Sequence, residues 1–382
     1  VRWHNEAVDS VAEAGYNVGL YASLQLDSIG RPHIAYFDAG NGDLKYAYRS
    51  VAGGWQVTII DAGGPANNNV GSYCSLKLNA LNEPRVSYYD TTAGDLKYAA
   101  LEYGIWKVYI VDSTGNVGSH TCLALHPTTN QPRIAYRDGG ARSLKFAWFA
   151  NDVWMTMTVD NSDDTGYTPS MVVDGSGNAH IAYQMFNGTA SALVYAIQSG
   201  TTFYPKTVAA EGGPNTGFVP TLALDAGDHP HIAYNDTKNH SLVYALYNGQ
   251  QWLTAVLDTA AVGSYASLAL YKNYPAIAYW SFSGLRYIEA RTDSTTGGGS
   301  IPLPVGEAVD AGGGGCFIAT SAFGSMADNA VAALTSVRDS ALSSSAIGSG
   351  LVALYYGSSP VVAKDLDRSL AAVVRRLLAA SN

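Results

Sequence analysis

Six copies of one short phrase run through most of the chain: a proline or small residue, one variable residue, and then Ile-Ala-Tyr or a close variant. Each copy ends at a tyrosine, and the six are Tyr36, Tyr88, Tyr136, Tyr183, Tyr234 and Tyr279. Successive copies stand about 45 to 52 residues apart, a period typical of propeller blades and other repeat arrays. Such a chain can bury its apolar residues only by stacking one copy on the next.

Each copy contains four short segments with the alternating pattern of a β-strand. The first resembles SLQLD (residues 23–27), the second is the repeated phrase, and the third resembles DLKYA (residues 43–47). The fourth begins at an aromatic residue and ends six residues later at aspartate, as from Trp55 to Asp61, whereas Phe203 and Ala209 take those places in the fourth copy. Four such strands separated by Gly, Asn and Asp turns predict one antiparallel sheet per copy. The predicted fold class is all-β, a six-bladed β-propeller over residues 1–291.

The two ends of the repeat region indicate how the ring closes. The sixth copy stops after its third segment, near Arg291, whereas the N-terminus carries a spare fourth segment from Trp3 to Asp9. We expect this N-terminal strand to complete the last blade. Closure of that kind would remove the open edges of the stack.

Charge and hydropathy exclude two classes of partner. Lys and Arg number 22 against 31 Asp and Glu, a net charge of -9 with no basic patch, so neither nucleic acid nor an anionic bilayer is expected to bind. No run of about 18 apolar residues occurs, so no membrane span is predicted. The chain begins at Val1 rather than Met, as a mature secreted protein would after loss of its signal peptide.

A different pattern follows the repeats. Residues 292–315 form a Gly-, Ser- and Pro-rich linker, and residues 316–382 contain three helical patterns that predict a small helical C-terminal domain. The string CFIATSAFGS at residues 316–325 resembles the CFI-box C-terminal domain of bacterial exported and surface proteins. That resemblance implies bacterial export and a role in sorting, anchoring or assembly, with Cys316, Phe317 and Ile318 in the box, and it implies no reaction.

Two of the three cysteines are candidates for a disulfide. Cys74 and Cys122 lie in the first strands of neighbouring copies with opposite parity, so they would meet across the blade interface if those faces are turned together. Two packed free thiols are the alternative. Cys316 is then left over, either for an intermolecular bond or a modification, or as a buried structural cysteine.

Other recurring side chains are interpreted as scaffold. His33, His180 and His231 share one repeat position, too far apart for one metal ion, and are expected to hydrogen-bond between blades. The Asp38 and Lys45 positions are expected to form surface ion pairs across hairpins. The recurring tryptophans either pack between blades or stack on sugar rings.

No motif for a nucleophile, a nucleotide or zinc occurs, so neither an enzyme nor a cofactor or metal is predicted. The leading functional prediction is a secreted or cell-surface structural protein that assembles with copies of itself through its C-terminal domain, an arrangement that could grow into a filament. The alternative is an adhesin or lectin that binds surface glycans or proteins in pockets between blades or at the central face.

Overall fold

A computed structural model describes residues 6–10, 17–63, 69–210, 217–259, 265–271, 273–281 and 284–290. These residues form 23 β-strands and no helix. Nothing in these ranges is a helix long and apolar enough to cross a membrane. The predicted linker and helical domain, with Cys316, Phe317 and Ile318, lie outside the described residues.

The strands form six antiparallel sheets that follow one another along the chain. Blade 1 contains β1 (Val18–Leu26), β2 (Pro32–Asp38), β3 (Asp43–Arg49) and β4 (Trp55–Asp61). Blade 2 contains β5 (Val70–Leu78), β6 (Pro84–Asp90), β7 (Asp95–Glu102) and β8 (Ile105–Asp112). Blade 3 contains β9 (Val117–Leu125), β10 (Pro132–Asp138), β11 (Ser143–Ala150) and β12 (Val153–Asp160).

Blade 4 contains β13 (Asp164–Val173), β14 (Ala179–Phe186), β15 (Ser191–Ser199) and β16 (Thr202–Ala210). Blade 5 contains β17 (Phe218–Leu224), β18 (Pro230–Asp236), β19 (Ser241–Tyr247) and β20 (Trp252–Asp258). Blade 6 has three strands among the described residues: β21 (Ser267–Tyr271), β22 (Tyr274–Ser281) and β23 (Gly284–Glu289). Every strand pairs with its neighbour in sequence, so each blade is a simple meander.

The repeated phrase forms the second strand of each blade, where both faces are covered. Ile34, Ala35 and Tyr36 are all at most 5% exposed, although they alternate between the two faces of β2. A strand buried on both faces needs a sheet on either side of its own. The apolar phrase therefore becomes the middle layer of a stack of blades.

Aromatic side chains pack across each interface. The Trp106 ring in blade 2 meets the Tyr46 ring of blade 1 edge-on, with centroids 5.3 Å apart. The same pairing recurs in Trp154–Tyr98, Phe203–Phe146 and Trp252–Tyr195. These recurring aromatic residues pack between blades, the first of the two interpretations drawn from the sequence.

The first strands lie side by side around a common centre. β1 packs against β5, and the contacts continue through β9, β13 and β17 to β21. Burial raises the pKa of Tyr21 in blade 1, and the nearby Tyr73 of blade 2 and Tyr265 of blade 6 raise it further. Neighbouring first strands thus stand side by side from blade 1 to blade 6, which is the arrangement of a β-propeller.

The N-terminal segment lies against blade 1. The Tyr36 hydroxyl donates to Asp9 Oδ2 at 2.7 Å, and Arg49 pairs with Glu6 at 2.7 Å. Asp61, the last residue of the fourth strand of blade 1, accepts the same hydrogen bond from Tyr88 of blade 2. Asp9 therefore holds the position that the last residue of a preceding blade's fourth strand would hold. Trp3 lies outside the described residues.

The disulfide interpretation is wrong, because Cys74 and Cys122 are both free thiols. The Cys74 thiol donates to the Tyr21 carbonyl at 3.0 Å, so it faces blade 1. Cys122 instead packs in the cluster shared by blades 3 and 4, beside Met171. Opposite parity does place them on opposite faces, but these are the faces turned away from each other.

Candidate functional site

A buried hydrogen-bond network ties neighbouring blades together. At the junction of blades 1 and 2, the Tyr88 hydroxyl donates to Asp61 Oδ2 at 2.7 Å. Lys97 Nζ lies 3.3 Å from the Asp61 carboxylate and 2.8 Å from that of Asp90. Asp61 ends the fourth strand of one blade, whereas Tyr88, Asp90 and Lys97 belong to the next. One carboxylate thus fixes the spacing of two sheets.

The Tyr–Asp hydrogen bond recurs with a length of 2.6 to 2.7 Å around the ring, in the pairs Tyr36–Asp9, Tyr88–Asp61, Tyr136–Asp112, Tyr183–Asp160 and Tyr279–Asp258. Asp38 is 0% exposed, and its carboxylate lies 2.7 Å from Lys45 Nζ. The expectation of surface ion pairs is therefore wrong. The alternation of β2 and β3 places these groups inside the blade interface, where a charge needs a partner.

The junction of blades 4 and 5 departs from this pattern. In each of the other blades with four described strands, a leucine of the third strand is registered with the aspartate that ends the fourth strand, as Leu44 is with Asp61. In blade 4 the corresponding leucine, Leu193, is registered with Ala209. In blade 5, Val243 stands at the lysine position, registered with Tyr234 as Lys97 is with Tyr88. Both the carboxylate and the cation of the repeat are replaced by small apolar side chains.

A cavity of about 250 Å³ lies at this junction. We call it the 4/5 cavity, and its lining residues include Ala209, Tyr234, Asp236, Asn239, Ser241 and Val243. The rest of its wall comes from β20 and Thr259. Two side chains that the repeat would place here are shortened, and both shortened side chains line the cavity.

Asp236 is the main polar feature of the 4/5 cavity. Asp236 is only 4% exposed. Its carboxylate accepts hydrogen bonds from the backbone N–H groups of Lys238 and Asn239 at 3.0 and 3.1 Å. The Asn239 amide also donates to it at 2.6 Å. Its counterpart Asp90 binds a lysine, but valine occupies that position here. The cavity therefore combines a fixed carboxylate, an amide and hydroxyls with the apolar wall of Val243 and Val256, a composition typical of small-ligand sites.

The three repeated histidines bond within their own blades, not between blades as expected. His180 Nδ1 lies 2.5 Å from the Tyr195 hydroxyl, and its Nε2 lies 3.4 Å from Asp174, all in blade 4. His231 pairs with Tyr244 in blade 5, and His33 pairs with Tyr46 in blade 1. Burial lowers the pKa of all three imidazoles. No group of three metal-ligating side chains occurs in the part of the chain that the structure describes.

Sequence reasoning missed a set of residues at the centre of the ring. Each first strand of blades 1 to 3 begins with a bulge in which a glycine and the residue two places later both have positive φ, as in Gly118 (107°) and His120 (52°). The Tyr73 ring lies 4.6 Å from that of Tyr21 and 4.4 Å from that of His120. A glycine at a fixed place in these first strands was the available signal, since it marks a bulge rather than a plain strand.

No protein-family model matches this chain, and no curated protein sequence matches it. Solved structures with a similar fold include a variant of AofleA from Arthrobotrys oligospora, with 13% identity over 72% of this chain and 85% of that one and a TM-score of 0.48. The six-bladed fucose-binding lectin of Aleuria aurantia has 14% identity over 72% and 92%, with a TM-score of 0.46. An ulvan lyase has 10% identity over 71% and 78%, with a TM-score of 0.48. At these values the similarity says nothing about what this chain binds.

Proposed function

We propose that this protein is a glycan-binding propeller and that the 4/5 cavity holds a neutral sugar unit. The observation that carries the proposal is the cavity itself, which is present where the repeat loses both its aspartate and its lysine. A propeller that served only as a scaffold has no need to replace both charged positions of the buried tie, whose Tyr–Asp hydrogen bond the described residues repeat at five positions.

The chemistry of the lining suits a sugar. The Asp236 carboxylate accepts hydrogen bonds only, and sugar hydroxyls donate them. The hydroxyls of Ser241 and Thr254 both donate and accept, while Val243 and Val256 present apolar surface to the C–H face of a ring. A charge-assisted hydrogen bond in a buried site is among the stronger polar contacts available.

Binding rather than cleavage is the activity that this lining supports. Glycoside hydrolysis ordinarily uses two carboxyl groups on either side of the scissile bond. Asp236 is the single carboxylate among the described residues that line the 4/5 cavity. The Asp236 carboxylate already accepts hydrogen bonds from two backbone N–H groups and from the Asn239 amide. Because these bonds hold the carboxylate in place, it is suited to recognising a ligand.

The predicted self-assembly through residues 316–382 concerns a part of the chain outside the described residues. Glycan binding is instead carried by groups whose positions are described, and it is the function we propose. Secretion, implied by the resemblance of the C-terminal box, would bring such a protein to extracellular glycans.

The experiment is isothermal titration of the full chain with neutral monosaccharides, starting with the methyl fucoside bound by the Aleuria aurantia lectin, followed by a glycan array. Val243→Lys returns the repeat's own cation to the cavity and is expected to abolish binding, and Asp236→Asn is expected to weaken it about tenfold or more. Asp38→Asn, the same repeat position in blade 1, is the matched control and should bind as the wild type does. Unchanged affinity in Val243→Lys, with the fold verified by circular dichroism, would refute the proposal.

A further inference from the structure

The turn around Asp236 repeats the turn around its counterpart Asp38 in blade 1, apart from one contact. Asp38 Oδ2 accepts a hydrogen bond from the Asn41 amide at 2.9 Å and lies 2.7 Å from Lys45 Nζ. Asp236 Oδ2 accepts the matching bond from the Asn239 amide at 2.6 Å. Oδ1 of each carboxylate accepts two backbone N–H groups of its own turn. The contact that blade 5 lacks is the one with an ammonium group.

The negative charge of Asp236 has no counter-ion among the described residues. Its partners are two backbone N–H groups and one side-chain amide, all of them neutral. Lys238 gives only its backbone N–H to the carboxylate, and its side chain is exposed. Asp236 is also the single charged residue among the described residues that line the 4/5 cavity. The cavity therefore contains one unit of negative charge that a buried site ordinarily pairs with a cation.

Blade 4 has lost the same lysine, and there the carboxylate is lost with it. Val194 holds the lysine position of blade 4, where it is registered with Tyr183. Met185, two residues after that tyrosine, holds the position of Asp236. The repeat has thus removed both charges in blade 4 but only the cation in blade 5. A carboxylate that is retained without its cation indicates a positive ligand.

The 4/5 cavity offers the space and the lining for such a ligand. Its volume is about 250 Å³. Val243, Ala255 and Val256 present apolar surface that suits the methylene groups of a stem. An ammonium group has three N–H donors, and the hydroxyls of Ser241 and Thr254 in the lining are acceptors beside the carboxylate.

The repeated tyrosine adds a second attraction for a cation. In blade 3, Lys145 Nζ lies 5.7 Å from the centre of the Tyr136 ring. Tyr234, the counterpart of Tyr136 in blade 5, lines the 4/5 cavity. Because the negative face of an aromatic ring attracts a cation within about 6 Å, an ammonium group at the lysine position would be held by Tyr234 as well.

We propose that the 4/5 cavity binds a primary ammonium group, that of a free amine or of an amino sugar, at Asp236 Oδ2. The bound ammonium takes the place of the lysine ammonium that the other junctions hold at this carboxylate. This ligand goes beyond the proposed function, since it is a cation and its recognition does not depend on the binding of a neutral sugar.

The test is isothermal titration of the full chain with n-butylammonium, at low ionic strength and about pH 6, below the pKa of an amino group. This probe carries the four-carbon stem and the head group of a lysine. n-Butanol has the same stem without the charge, and tetramethylammonium has the charge without an N–H donor. We expect n-butylammonium to bind at least about tenfold more tightly than either. Equal binding by either comparison compound, or no binding of n-butylammonium, overturns the proposal.

Two sugars identify the source of the ammonium group. Glucosamine differs from glucose in one amino group, so the pair isolates the effect of the charge on one ring. Glucosamine that binds more tightly than both glucose and n-butylammonium identifies an amino sugar as the ligand. Tighter binding by n-butylammonium than by glucosamine identifies a free amine.

Three variants locate the site. Asp236→Asn keeps the size of the side chain and removes its charge, so it should weaken n-butylammonium binding about tenfold or more. Val243→Lys supplies an ammonium group from the chain itself and should exclude the amine. Asp38→Asn is the matched control and should bind as the wild type does, because Lys45 already occupies that carboxylate. Amine affinity that survives Asp236→Asn or Val243→Lys, in a variant with a normal thermal melt, places the amine elsewhere and overturns the proposal.

The amine and the neutral sugar can fail separately. Amine binding without binding of any neutral sugar would uphold this proposal and refute the proposed function, and the reverse result would refute this proposal alone. If both ligands bind, saturating n-butylammonium should weaken the apparent affinity for the sugar, because the two occupy one cavity. Independent binding of both would contradict the placement of the amine in the 4/5 cavity.

Discussion

The 4/5 junction can be rebuilt to match the rest of the repeat, and the order in which its charges are added should decide its stability. Ala209→Asp supplies the missing carboxylate and Val243→Lys the missing cation. In the junction of blades 1 and 2, one lysine contacts both carboxylates, at 3.3 and 2.8 Å, so those carboxylates lie at most about 6 Å apart. The carboxylate that Ala209→Asp introduces should stand at a similar distance from Asp236.

Two like charges about 6 Å apart repel by about 3 kcal/mol at an effective dielectric constant of about 20. We therefore expect Ala209→Asp alone to lower the free energy of unfolding, because the gain of one hydrogen bond does not offset the repulsion and the loss of hydration. Adding Val243→Lys should restore it, with a coupling energy between the two substitutions of about 3 kcal/mol.

Urea unfolding followed by tryptophan fluorescence, applied to the wild type, both single variants and the double variant, measures this coupling as a double-mutant cycle. The double variant should also lose neutral-sugar binding, because its cavity is filled. Additive effects within about 0.5 kcal/mol would show that the two positions do not share one buried network, and the assignment of Ala209 and Val243 to the repeat's charged positions would then be wrong.

Two further predictions concern the centre of the ring. Burial and the charge of Arg137 lower the pKa of His120 from 6.5 to about 4. As the pH falls, the unfolded chain therefore binds a proton at this histidine before the folded chain does. The free energy of unfolding has its full value above pH 6.5 and decreases as the pH falls toward 4. His120→Tyr introduces the residue that blade 2 has at this position, Tyr73, and should make the urea midpoint depend less on pH between 6.5 and 4. Plots of midpoint against pH that run parallel for the wild type and the variant would contradict this prediction. Gly118→Ala would place a Cβ 2.6 Å from Leu96 Cα, whereas Gly104→Ala meets nothing within 4 Å at a similar positive φ. Thermal unfolding should show the first variant less stable by about 1 to 3 kcal/mol, and equal stabilities would exclude the clash.

Local pattern carried the prediction of the blades. The side chains of the phrase around Tyr36 point alternately to the two faces of a strand, and both faces are buried. The recurrence of the phrase at the period of a propeller blade indicates a stack of similar sheets. The terminal Asp of the fourth strands, replaced by Ala209 in the fourth copy, was also visible in the sequence. The fourth strands of blades 1, 2, 3 and 5 end at the aspartates expected from the sequence, because the register of a meander follows from its turns.

The candidate sites needed tertiary structure, because each is built from residues of two blades. Parity along a strand shows that Cys74 and Cys122 lie on opposite faces, yet only packing shows which face meets which neighbour. The same holds for Lys97, whose partner Asp61 is 36 residues away in another sheet. The sequence shows an alanine at position 209 and a valine at position 243, but not that they border one cavity.

The amino-acid sequence by itself determined the all-β class, the six repeats and the strand pattern of each, because these depend on local alternation and on a period that any stack must respect. Only the tertiary structure decided that Asp, Tyr and Lys form buried ties, and that the apolar residues at the aspartate and lysine positions between blades 4 and 5 border one cavity. Those features depend on distances between side chains of different sheets, and the packing of one blade against the next sets such distances.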